Sequence, residues 1–202
     1  MLGDVFGDRN IEDLLKVEFI KLLNSKTNNH LTILYGNHDN AAFNILNNKN
    51  ADCLPCVSDF LYLTKNQKSE YLIDFLNIVN KNYTLIKKVD NFILSHAPIR
   101  LDIFNYFKYN NENNISQICE NINLLMKKHN ESNLNTKEEN IFNYFIWDRY
   151  SQENMYIKDD YKEILQICGH DTFTDSKHRL LSLNNVNGKI KTHFESELLI
   201  CF

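Results

Sequence analysis

Glycine and proline are scarce in this sequence: 202 residues hold five Gly and two Pro. That excludes a collagen-like or linker-type chain and leaves each Gly marking a place where the backbone turns or approaches something closely. No run nears the roughly 18 consecutive apolar residues of a membrane span. No basic-then-apolar leader precedes the first charged residues, so the expectation is a cytosolic protein without a membrane partner. Five cysteines (Cys53, Cys56, Cys119, Cys168, Cys201) form an odd set in a chain this large, which argues against a disulfide scaffold. Cys53-x-x-Cys56 lacks a second pair at zinc-finger spacing and reads as two unlinked thiols in a loop. A positive excess is missing too, since the formal net charge is -4, and no affinity for a nucleic-acid backbone is expected.

What remains is an ordinary folding composition. Apolar residues make up 43%, enough to exclude disorder, and the length suits a single domain over residues 1–202. Asn is frequent and clusters with Lys, as in Asn47-Asn48-Lys49-Asn50, which reads as a compositional bias. Three short apolar runs end at polar residues: Leu31 to Tyr35 stops at Gly36, Phe92 to Ser95 at His96, and Ile164 to Cys168 at Gly169-His170. By length, β-branching and termination these predict buried strands. Helical spacing of apolar residues appears in Ile11 to Leu23 (Ile11, Leu14, Leu15, Phe19, Leu22, Leu23), in Glu70 to Val79 and in Ile115 to Met126. Residues from about 100 to 145 predict a polar, helical insertion over one face, with Phe104, Phe107 and their aromatic neighbours packing its core. The residues after Gly169 read as a β meander completing a second sheet. Strands alternating with helices imply an α/β domain, in which ligands collect at the carboxyl ends of strands.

Four clusters stand at such ends: Gly3-Asp4 with Asp8-Arg9, Gly36-Asn37-His38-Asp39, Ser95-His96, and Gly169-His170. A lone Gly-Asn-His-Asp can be a simple turn, and a lone His beside an apolar run is more often a core histidine. Together they offer carboxylate, amide oxygen and imidazole, the mixture a borderline divalent metal accepts. In this order the clusters resemble the calcineurin-like metallophosphoesterase superfamily. Its phosphoprotein-phosphatase branch is the closer likeness, because Thr172 stands where other branches carry a second His. Trp147-Asp148-Arg149-Tyr150 is also similar to the Trp-x-Arg element of bacterial and phage members.

The resemblance implies a two-sheet sandwich flanked by helices that hydrolyses phosphate monoesters with two divalent ions (manganese, iron or zinc). Asp4 would bridge the two metals, with Asn37, His96 and His170 completing the second. His38 would protonate the leaving oxygen, its ring held by Asp8 or Asp39, and Arg9 and Arg149 would grip the phosphate. A phosphorylated protein or a small phosphoester is the implied partner. The family also carries an Asp-x-His some two dozen residues before the Gly-Asp, and this sequence contains none. Met1-Leu2 directly precedes Gly3, so the expectation is a fold truncated at its amino end, from a polypeptide that extends upstream. Taken as it stands, the chain supplies a full protein complement for only one metal. Two alternatives stay open: a nucleotide hydrolase like the diadenosine tetraphosphatases, and an impaired pseudophosphatase that binds metal or a phosphorylated partner without turnover.

Overall fold

The computed structural model describes residues 3–4, 13–28, 30–47, 81–108, 114–149 and 164–169, together with 74, 77, 155, 157 and 161. By contacts the chain divides into Met1–His170 and Asp171–Phe202, and every described residue belongs to the first unit. The β meander expected after Gly169, Cys53-x-x-Cys56 and most of the Glu70–Val79 helix lie outside the described residues.

The fold is mixed α/β. Its elements in chain order are α1 (Asp13–Lys26), β1 (Ile33–Leu34), α2 (Asn37–Leu46), β2 (Tyr83–Thr84), β3 (Ile86–Val89), β4 (Phe92–Ser95), α3 (Leu101–Tyr106), α4 (Ile115–Asn130), α5 (Thr136–Trp147) and β5 (Leu165–Cys168). The described strands form two small sheets. One pairs β1 with β2 in parallel, Ile33 opposite Tyr83; the other runs β3-β4-β5. In the second sheet β3 and β4 make an antiparallel hairpin, Ile86 opposite Ser95, and β4 and β5 run parallel with Ser95 opposite Cys168. The hairpin turns at Asp90-Asn91, where Asp90 takes φ 50°, a left-handed conformation that Asp tolerates better than most residues. The parallel pair needs a long crossover, and α3, α4 and α5 supply it.

This crossover departs from the expected polar insertion. It is helical, but Ile118, Ile122, Leu125 and Met126 of α4 and Ile141, Phe142, Phe145 and Ile146 of α5 are buried in the main core with Tyr35, Ile86 and Phe104. The segment is therefore part of the core rather than a layer over it. Its asparagines close backbone hydrogen bonds. Asn114 caps α4 by accepting from Ser116 N and Gln117 N, and Asn135 and Glu138 form a reciprocal capping box at α5. Asn123 accepts from Leu85 N and Ile86 N, both at 3.1 Å, and donates to Ile86 O at 2.9 Å, so one α4 side chain completes the start of β3.

The first helix corrects the sequence in the opposite sense. Leu15, Phe19 and Leu22, three of the apolar positions whose spacing announced this helix, are 61%, 52% and 54% exposed, while Lys16 and Ile20 turn inward. Spacing of apolar residues fixes only which side chains share a face; what packs against that face is a tertiary matter.

Candidate functional site

The run from Leu31 to Tyr35 yields only a two-residue strand, because at Gly36 the chain turns directly into α2. Tyr35 N still donates to Thr84 O, which keeps the strand direction up to the turn. The cluster read as a strand end is thus also a helix start. Asn40 N donates to Gly36 O at 3.0 Å, closing the first turn. Asp39 reaches back to accept from Gly36 N at 3.1 Å, which is half of a capping box. His38 N donates at 3.0 Å to the carboxylate of Asp4, 34 residues earlier in the chain. A remote carboxylate therefore caps α2 where the helix dipole favours negative charge.

That arrangement brings three of the sequence-predicted residues together. His96, at the end of β4 and 2% exposed, places Nε2 at 3.1 Å from Asn37 Oδ1 and 3.4 Å from Asp4 Oδ1. Two glycines make the approach possible. A Cβ on Gly3 would collide with the His96 ring, and one on Gly36 would strike the Asp4 carboxylate and come within 2.6 Å of Asp4 N. Gly3 and Asp4 also take φ 92° and 49°, a left-handed region that Gly enters freely and Asp tolerates. Every side chain larger than hydrogen is excluded from both positions.

The other predicted residues are distributed differently. Gly169 N donates to His96 O at 2.9 Å, extending the β4–β5 pairing to the residue before His170. His170 itself, Asp8 and Arg9 lie outside the described residues. Arg149 is exposed just past α5, with its backbone N–H donated to Asp148 Oδ1 at 3.0 Å. His38 is half-buried on the first turn of α2, and its Nδ1 is buried without a hydrogen-bond partner. The expected hold of Asp39 on the His38 ring is absent among the described residues. Asp39, fully buried, instead accepts from Gly36 N and from the Tyr83 hydroxyl at 3.1 Å.

Tyr83 is the member that sequence reasoning missed. Burial and then the Asp39 carboxylate push its phenol well above the usual tyrosine range, so it stays a hydrogen-bond donor at any ordinary pH. Tyr35 is raised likewise, by burial first and Asp39 second, and its hydroxyl lies 3.3 Å from Asn40 Oδ1. The signal for Tyr83 was a short run of strand-favouring residues, Tyr83-Thr84-Leu85-Ile86, too brief to stand out as a strand.

Among the described residues no group of three or more His, Cys, Asp or Glu could hold a metal ion. The convergent set owes its third member to an amide. The chain matches no family model, no curated protein and no solved structure. The chemistry of the site has therefore to be judged from its own donors. A carboxylate oxygen, an amide oxygen and an imidazole nitrogen, drawn together over two glycines, are donor types that a borderline divalent cation accepts.

Proposed function

We propose that this chain is a metal-dependent phosphoric monoester hydrolase of the calcineurin-like metallophosphoesterase kind, built on a two-sheet sandwich flanked by helices. The observation that carries the reading is the meeting of Asp4 Oδ1, Asn37 Oδ1 and His96 Nε2, with the imidazole nitrogen 3.1 Å from the amide oxygen and 3.4 Å from the carboxylate. Asp4 and His96 are 92 positions apart, and nothing in backbone hydrogen bonding requires these three side chains to face each other. Asp4, Asn37 and His96 would hold one divalent ion, with His170 as the fourth donor that the resemblance supplies.

A bound ion of this type neutralises phosphate oxygens and lowers the pKa of a coordinated water toward neutrality. The chain's own residues supply the rest. Asp4 is fixed at the amino end of α2 by His38 N. Asp39 and Tyr83 hold the Gly36 corner, so that Asn37 and His38 leave the helix start in fixed directions. His38, next to Asn37 and with a partnerless Nδ1, is the group to give a proton to the departing oxygen. Arg149 and Arg9 would bind phosphate oxygens through planar guanidinium forks. The resemblance favours a phosphorylated protein as substrate.

The test is release of phosphate from p-nitrophenyl phosphate with added manganese, measured beside metal content for the parent chain and for His96→Ala. The expected result is activity in the parent and loss of both bound manganese and activity in the variant. Metal binding without turnover in the parent would assign the chain to the impaired class. Equal manganese content in both proteins would remove the site.

A further inference from the structure

The exposed face of α5 carries Asn140, Asn143, Tyr144 and Trp147 at helical spacing, and with Asp148 these residues line a cavity of about 380 Å³. That volume lies within the range of small-ligand sites. The opposite face of the same helix, Ile141, Phe142, Phe145 and Ile146, is buried in the core, so the cavity wall is rigid. The segment that follows His96 runs alongside this helix. Ala97, the residue after His96, donates its N–H to Phe145 O at 3.4 Å. Arg100 lies 5.1 Å from the centroid of the Tyr144 ring, its guanidinium held by Asp102 at 3.0 and 2.6 Å. That bond raises Arg100 above its ordinary range and lowers Asp102, which keeps the cation in place over the phenol. Arg100 is four steps along the chain from His96, at most roughly 14 Å when extended.

The lining is two amides, a carboxylate, a phenol and an indole, with no aliphatic side chain among the described residues. An apolar peptide side chain seated there would leave the amides and the carboxylate facing carbon, a costly arrangement. A planar heterocycle meets every group: its face stacks on indole or phenol, and its edge offers the alternating donors and acceptors that Asn amides and carboxylates match.

We propose that this cavity is a nucleobase subsite. Combined with the hydrolase reading, on which this consequence rests, it makes the phosphate ester a nucleotide's rather than a phosphoprotein's. Trp147 is the chain's sole tryptophan and reports occupancy directly. Adenosine, guanosine, cytidine and uridine, none carrying phosphate, are titrated into the full chain while Trp147 fluorescence is followed. The expected result is saturable quenching by at least one nucleoside, with Kd raised about 10-fold in Asn143→Leu, a change at an exposed helix position that leaves the circular dichroism unaltered. Absence of saturable quenching, equal quenching by glucose or N-acetylphenylalaninamide, or an unchanged Kd in Asn143→Leu would each overturn the subsite. Because the nucleosides carry no phosphate, the two readings separate: nucleoside binding by a chain that hydrolyses no phosphate ester keeps the subsite and removes the hydrolase. Hydrolysis of p-nitrophenyl phosphate without nucleoside binding does the reverse.

Discussion

Asn123 and Asn37 are the same residue in two opposite situations. On α4, Asn123 engages both ends of its amide with the backbone of Leu85 and Ile86, and the neighbouring caps Asn114 and Asn135 likewise satisfy helix N–H groups. At the start of α2, Asn37 is 3% exposed and turns its oxygen toward an imidazole and a carboxylate gathered from distant segments. The α4–α5 region uses polar groups to complete secondary structure. The Gly36 corner uses secondary structure, two glycines and left-handed backbone to bring polar groups together. The difference makes the corner the functional candidate, since there a carboxylate, an amide and an imidazole from three distant segments meet one another.

Three substitutions probe this contrast. The largest effect is expected at the corner: His38→Asn should lower phosphate-ester turnover by about 10² to 10⁴ while leaving bound manganese unchanged, read by steady-state kinetics beside elemental analysis. Unaltered turnover would take His38 out of the chemistry. In the helical region the loss should fall on stability instead. Asn123→Leu leaves Leu85 N and Ile86 N without their acceptor and should cost about 2–4 kcal/mol in urea denaturation, with manganese content preserved in the folded protein. A change under about 0.5 kcal/mol, the ordinary surface range, would show that water replaces the amide freely.

The smallest effect concerns pH. Burial raises the Cys119 thiol on α4 from 9.0 to about 11. The unfolded chain loses this proton first as pH rises, so the contribution is complete below pH 9.0 and lost as pH climbs toward about 11. Cys119→Ala should flatten the alkaline decline of stability over that window by roughly 1–2 kcal/mol, a tenfold change in proton affinity being worth about 1.4 kcal/mol. An identical decline in both proteins would assign the alkaline loss to other groups.

Some of the molecule is legible in the chain alone. Phe92–Ser95 is a strand over the expected residues, and Leu165–Cys168 is one residue shorter than the apolar run that announced it. Ile115 to Met126 announces α4, which continues through Asn130. The helix α2 was not readable, because Asn37-His38-Asp39-Asn40 favours turns locally and becomes helical once Asp4 and Asp39 accept its first N–H groups. In the crossover from residue 100 to 145 the helical character and the α4 stripe were legible, but that the apolar residues of α4 and α5 join the main core was not, because that depends on which segments lie beside each helix.

Local sterics and hydrophobic spacing, which act over a few residues, were enough to dictate the short strands and the donor types available at each turn. Packing of distant segments settled the remainder: that Asp4, Asn37 and His96 meet, that Tyr83 rather than His38 partners Asp39, and that Leu15, Phe19 and Leu22 face outward. Those outcomes depend on which segments lie side by side, and no interaction within a single turn or strand carries that information.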